Sequence, residues 1–294
     1  MKRKKYKTSK GTIVYWTNEK KKDAPELVFL PGLTADHRLF LKQIRYFQEE
    51  YSVLVWDAPG HALSYPFEMD FTLEDKARSL DEILIKEGYD HPVIIGQSMG
   101  GYVGQMYAEL FPGKIAGFIS IDSAPLQKKY YKEWELKLLE HTETMYRVYP
   151  WKLLMRHGTD GVATTRYGRG CMYRMMLTYD NDKAGYAKLA GHGFYIVAQA
   201  IKAELPYEIT CPSLLICGTK DHAGFTKRYN EAWTEQSGIP IEWIVGAGHN
   251  SNTDNPEEVN HIIENFISEN YSWRRICSGN ARCSCRERNK RDKG

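Results

Sequence analysis

The stretch Val93-Ile94-Ile95-Gly96-Gln97-Ser98-Met99-Gly100-Gly101-Tyr102 governs how the rest of the chain is read. Its apolar start predicts a buried strand. Tyr102 to Phe111 predicts a helix, stopped by Pro112 and Gly113. Between them lies a glycine-rich turn with a serine at its apex. A serine hydroxyl is a weak nucleophile that needs exposure, a base and nearby hydrogen-bond donors. A sharp strand-to-helix turn lifts Ser98 into a strained, exposed position, and side chains at Gly96 or Gly100 would crowd it. The helix that follows points its first N–H groups, that of Met99 among them, at the space above the hydroxyl.

Three other segments fall where such a serine would use them. Leu30-Pro-Gly-Leu33-Thr34 follows a buried run, and a tight turn there aims the N–H of Leu33 at the same developing oxyanion. Cys217-Gly-Thr-Lys-Asp221 puts a carboxylate at the end of a later strand. Gly246-Ala-Gly-His249 ends the strand after that, in a loop that lets the imidazole swing inward. The order Ser98, Asp221, His249 matches one of the convergent Ser-His-Asp arrangements and excludes the other two common ones. Asp122, after the strand Ile115–Ile121, is a competing acid.

Working outward, short apolar runs alternate with amphipathic segments, the pattern of a mostly parallel α/β sheet with helices on both faces. Thr12–Trp16 reads as the edge strand of a hairpin, Leu27–Leu30 and Ser52–Trp56 as buried strands, and residues 37–49 as a helix. Thr72-Leu-Glu-Asp75 reads as a helix start. From 125 to 206 the chain looks helical and irregular. Alternation then resumes with strands at Ser213–Cys217 and Ile241–Val245 and helices near 225–236 and 256–269. The predicted divisions are a core at 1–124, a helical insertion at 125–206, the rest of the core at 207–272 and a basic, disordered tail at 273–294.

With 294 residues, 42% hydrophobic and 26% charged, the composition is that of a globular protein able to bury a large core. No apolar run reaches the about 18 residues of a membrane span. No apolar stretch follows the basic start to make a signal peptide, so a cytoplasmic location with reduced cysteines is expected. The net charge of +3 divides unevenly. Residues 2–10 carry six Lys/Arg and no acid. The stretch from Trp273 to Gly294 carries eight Lys/Arg against Glu287 and Asp292, so the body between is acidic. An acidic body is not expected to bind nucleic acid. The tail cysteines Cys277, Cys283 and Cys285 lack the spacing and histidine of a zinc site.

These motifs resemble those of the α/β-hydrolase superfamily over about residues 5–270. Trp56-Asp-Ala-Pro-Gly-His61-Ala62-Leu-Ser64 is similar to the family's D-x-P-G-H-G-x-S turn, with Ala62 in place of the last glycine. The resemblance implies structural roles for Asp57 and His61, a mainly parallel eight-stranded sheet, a helical cap at the insertion and an oxyanion hole made by Leu33 and Met99. Pro31-Gly32 stands where members often have His-Gly, which leaves backbone donation intact. Serine at position 98 argues against the dehalogenase and epoxide hydrolase branches, which resemble this fold but use aspartate there.

The expected reaction is ester cleavage through an acyl-enzyme on Ser98, with His249 as base, Asp221 orienting it, and no cofactor or metal. Thioester, amide or carbon–carbon cleavage by the same three residues stands as an alternative, and so does a ligand-binding protein that has lost turnover. Residues 126–207 hold ten of the twenty tyrosines and five of the nine methionines. Trp134, Trp151, Tyr173, Met175, Met176, Phe194 and Tyr195 are candidates for an apolar wall over Ser98, or pack the insertion's helices together. The partner implied is a small-molecule substrate with an apolar part. His192 either polarises a substrate group or sits exposed in a loop. The oligomeric state is not legible.

Overall fold

A computed structural model of the chain describes residues 1–271. The chain opens with two antiparallel strands, β1 (Lys2–Lys7) and β2 (Thr12–Thr17). Four strands follow, β3 (Glu26–Leu30), β4 (Ser52–Asp57), β5 (Val93–Gln97) and β6 (Gly117–Ile121), each buried at every position. Burial on both faces explains why they read as continuous apolar runs. β7 (Ser213–Gly218) and β8 (Ile241–Ile244) complete one eight-stranded sheet in the order β1-β2-β4-β3-β5-β6-β7-β8. All neighbours from β4 onward pair in parallel. One expectation needs correcting. Thr12–Trp16 is internal, paired with both β1 and β4, and the true edge is β1. Lysines and arginine hid that strand, although charge on an edge is a known defence against strand addition.

Helices cover both faces. α1 (Leu41–Phe47) is preceded by a 3-10 turn at His37–Phe40, so the helix expected over 37–49 divides in two. α2 (Leu73–Glu87) starts at a reciprocal capping box between Thr72 and Asp75 and stops at Gly88 in the left-handed region. Its Leu73, Ala77, Leu80 and Leu84 are buried against the sheet, and each leucine so buried contributes about 1.5–3 kcal/mol. α3 (Met99–Leu110) begins three residues earlier than its sequence pattern suggests, directly after Ser98.

Five helices lie between β6 and β7: α4 (Glu133–Glu140), α5 (Thr142–Val148), α6 (Trp151–Val162), α7 (Arg166–Met176) and α8 (Lys183–Lys202). After β7 come α9 (Thr226–Ser237), then β8, the single turn α10 (Ser251–Asp254) and α11 (Pro256–Asn270). No helix among the described residues is long and apolar enough to cross a membrane. The basic stretch 273–294 and its cysteines lie outside the described residues.

The topology fixes where a site can form. The chain moves from β3 outward to β4, then returns to place β5 on the other side of β3. Loops leaving β3 and β5 therefore diverge at the carboxyl edge and open a crevice, the usual ligand position in open α/β sheets. Register aligns Leu30 with Gly96, Gln97 with Ile121, and Gly218 with Ile244. Leu33, Ser98, Asp122, Asp221 and His249 all follow these aligned ends.

Candidate active site

Ser98 links β5 to α3 with φ 50° and ψ −115°, a region that costs a non-glycine residue about 1–3 kcal/mol. Neighbours over-determine the conformation. Ser98 N–H donates to the Ile121 carbonyl at 2.9 Å, and the Ser98 carbonyl accepts from Gly101 N–H at 2.9 Å and Ser123 Oγ at 2.7 Å. A Cβ on Gly96 would overlap the Gly100 backbone, and one on Gly100 would overlap the Leu30 carbonyl. Both glycines are thus required by close approach around the turn.

His249 Nε2 lies 2.9 Å from Ser98 Oγ, and its Nδ1 lies 2.9 Å from Asp221 Oδ2. The other Asp221 oxygen accepts from Ala223 N–H at 2.8 Å. Burial opposes charge on His249, but the Asp221 and Asp122 carboxylates outweigh it and leave the imidazole more basic than usual. Gln97, the residue before the serine, is buried and donates from Nε2 to the His249 carbonyl at 2.8 Å and to Asn250 Oδ1 at 3.2 Å. No sequence signal marked Gln97 as the tie between the serine turn and the histidine loop.

The turn after β3 reaches the same point. A Cβ built on Gly32 would stand 3.2 Å from Ser98 Cβ, so the backbone of Gly32 and Leu33 passes directly beside the serine. The Leu33 N–H donates to no protein acceptor among the described residues. Met99 is the first residue of α3, whose opening N–H groups have no partner within the helix.

Asp122 does not touch His249. Its carboxylate accepts from Gly218 N–H at 2.8 Å, Ser251 N–H at 2.9 Å and Ser251 Oγ at 2.6 Å, which ties β7 to α10. Burial, then the charge of Asp221, pushes this carboxyl up to about 7. Asp122, Cys217 and Asp221 have donor atoms close enough to consider a metal, as do Asp36, His37 and Asp57. In both groups the oxygens are engaged by protein: Asp36 by Arg38, and Asp57 by His37 and Leu63. Burial also raises the Cys217 thiol, which disfavours the thiolate a metal would need.

A second unforeseen residue is Asp254. Its carboxylate accepts from the N–H and hydroxyl of both Thr164 and Thr165 and from Gly248 N–H, all between 2.8 and 3.1 Å. The corner joining α6 to α7 is thereby clamped to the loop that carries His249. Asn250 N–H reinforces it by donating to the Val162 carbonyl at 2.7 Å.

Above Ser98 and His249 is a cavity of about 350 Å³. Leu33, Thr34 and Ala223 form its floor, and Met145, Tyr146, Leu154, Met172, Tyr186 and Phe194 from α5–α8 form its walls. Among the wall candidates named from sequence, Phe194 lines this space. Trp134 instead stands half exposed against Phe225, and Trp151 donates Nε1 to Asp180 and packs on Tyr186. Met175 is fully buried, with its sulfur against Asp36 N–H, and Tyr195 is exposed. Composition identifies aromatic helices but not the phase in which each helix turns toward the site. His192 is not in a loop and is not among the residues that line this cavity: it lies in α8 with Nε2 2.8 Å from the Phe71 carbonyl.

Comparison with known proteins agrees with this architecture. A matched segment of 128 residues is 25–26% identical to RutD of Escherichia coli, a proposed carbamate hydrolase, covering 43% of this chain and 44% of that relative's length. A thermophilic esterase from Thermogutta terrifontis superposes with a TM-score of 0.73 at 19% identity, covering 92% of this chain and all of the other. A hydrolase from Pseudomonas aeruginosa PA01 gives 0.76 at 18% identity, covering 90% and 98%. An enol-lactonase from Burkholderia xenovorans LB400 gives 0.70 at 20%, covering 88% and 97%. At these identities the structural likeness speaks for the fold. The family model described as alpha/beta hydrolase fold matches residues 25–256, nearly four-fifths of the sequence, and the chain belongs to that family.

Proposed function

We propose that this chain is a serine hydrolase that cleaves a carboxylic ester of a small to medium, partly apolar substrate through an acyl-enzyme on Ser98. The observation that carries the reading is the relay of two 2.9 Å contacts from Asp221 through His249 to Ser98, on a strained turn at the floor of a largely apolar cavity. His249 removes the Ser98 proton as the hydroxyl attacks the ester carbonyl. Asp221 holds the imidazole with Nε2 toward Ser98 and stabilises the cation that forms. The N–H groups of Leu33 and Met99 receive the developing oxyanion. His249 then gives its proton to the departing alkoxide, and water activated by the same imidazole hydrolyses the acyl-enzyme.

The cavity volume lies near the lower end of the usual range for small-molecule sites, which favours a compact substrate. We assign α4–α8 as a cap over the reacting bond, because α5–α8 supply most of the cavity wall. The same relay serves thioester, amide or carbon–carbon cleavage, so leaving-group choice rests on those walls.

A fluorophosphonate probe tests the reading. The wild-type protein is expected to label at Ser98 and Ser98→Ala is not. A wild-type protein that stays unlabelled rejects catalysis and favours a binding protein on this fold. A p-nitrophenyl ester series of increasing chain length then sets the acyl size, with a decline once the chain outgrows the cavity.

A further inference from the structure

His157, exposed at the rim, and the half-buried Tyr146 both line the cavity, and each has a polar side-chain group with no protein partner among the described residues. One is Nε2 of His157 on α6; the other is the hydroxyl of Tyr146 on α5. The remaining polar side chains there are occupied. Thr34 Oγ1 and the Tyr186 hydroxyl lie 3.4 Å apart, and Ser98 and His249 engage each other.

Chemistry fixes what the free pair can offer. The Tyr149 hydroxyl sits 2.7 Å from His157 Nδ1. A phenol is a better proton donor than a neutral imidazole, so Tyr149 donates and the His157 proton resides on Nε2. Protonation of the ring would leave a proton on Nε2 as well. Tyr146 keeps its phenolic proton, since burial pushes it upward. Both free groups are therefore donors, and an apolar substrate would leave both unsatisfied on desolvation. The cavity lining contains no lysine or arginine, so a carboxylate there would lack a fixed counter-charge. A neutral oxygen meets both conditions.

We propose, building on the serine-hydrolase reading, that the substrate carries a second, uncharged carbonyl away from the scissile ester, held by Nε2–H of His157 and the hydroxyl of Tyr146. His157 and Tyr146 then determine specificity, and the natural substrates are oxo esters rather than simple alkyl esters.

The test compares oxo esters with isosteres in which a methyl branch replaces the second carbonyl. One set places the ketone at carbons 4 to 7 of the acyl chain of an aryl ester; a second places it in the alcohol part of an acetate ester. For wild type, at least one oxo ester is expected to exceed its isostere about tenfold in kcat/KM, chiefly through KM. In His157→Leu that ratio falls to within about twofold of unity, and Tyr146→Phe lowers it partway. His157→Gln, which retains a donor, keeps part of the preference and serves if the leucine variant fails to fold. A wild-type ratio near unity across both sets overturns the proposal, as does a preference that survives His157→Leu. Fluorophosphonate labelling of the same samples separates the failures. Labelled protein without oxo preference rejects the His157 assignment alone, whereas unlabelled protein rejects the hydrolase reading beneath it.

Discussion

At position 62 an alanine adopts φ 42°, where the family's turn has glycine. A left-handed conformation costs an L-residue about 1–2 kcal/mol, against the extra unfolded-state entropy that glycine brings. Ala62→Gly is therefore expected to stabilise the fold by about 0.5–1 kcal/mol, read as a higher urea midpoint with an unchanged slope. Lys76 is a second anomaly. It is fully buried on α2 and pairs with no carboxylate among the described residues; its Nζ meets the Phe71 ring at 5.3 Å. Burial lowers its pKa to about 7. Between that value and the unfolded lysine's, about 10.4, only the unfolded chain binds the proton. Stability should therefore rise with pH across this window, and Lys76→Met should abolish that share of the rise while adding on the order of 1–4 kcal/mol at pH 7. Paired urea titrations at pH 7 and pH 10 check both. On the proposed mechanism the neutral ring of His249 is the active form. Because its pKa is raised, activity should fall away on acidification from above the ordinary histidine value of about 6.5. Asp221→Asn should shift that limb downward and cost about 10³–10⁴ in kcat, and Asp122→Asn much less; the reverse order in pH–rate profiles would reassign the acid. Ser98, Asp221 and His249 were legible because each follows an apolar run whose end shows in sequence. Gln97, Asp254 and His157 were not, because the loop partners of Gln97 and the threonine partners of Asp254 lie 89 to 153 residues away and His157 sits on a helix face whose phase the sequence does not state.

At the level of elements, the fully buried strands β3 to β6 and the capped helix α2 could be placed from sequence because period and capping agree with tertiary burial. β1 could not, since its near-continuous basic residues carry no apolar strand pattern. The start of α3 was missed for a related reason: Met99, Gly100 and Gly101 are poor evidence for a helix, and the tight turn imposes one. The clamp at Asp254 sets a prediction at this scale. The Thr164 hydroxyl can fall back on the Gly246 carbonyl at 2.8 Å, but Asp254→Ala strands the other four donors, which come from two segments, and should cost about 2–3 kcal/mol. It should also lower kcat more than it raises KM, because Gly248 lies next to His249. Asp254→Asn, which keeps one acceptor oxygen, should lose less on both counts. Equal loss in kcat and stability between the two variants would argue that the charge, not the clamp, matters.

Across the whole molecule, strand order could not be read from the residues: apolar runs say that strands exist, not which ones are neighbours. The edge that results is basic. Arg3, Lys5 and Lys7 fall on the exposed positions of β1, while Lys4 on the alternate face pairs with Glu87 of α2. Valine at these three positions would turn a guarded edge into a strand-pairing template. The triple variant is expected to assemble with rising concentration in light scattering, under conditions where the unaltered chain does not change its size. The clamp bears on traffic as well as aim. If the α6–α7 corner lifted to admit a molecule, Gly248 would travel with it and drag the imidazole off the serine. Entry is then expected elsewhere on the rim, and Met145 and Tyr149 border the cavity and are exposed. A bulky residue at Met145 should then slow fluorophosphonate labelling of Ser98, and an unchanged labelling rate would place the entrance elsewhere.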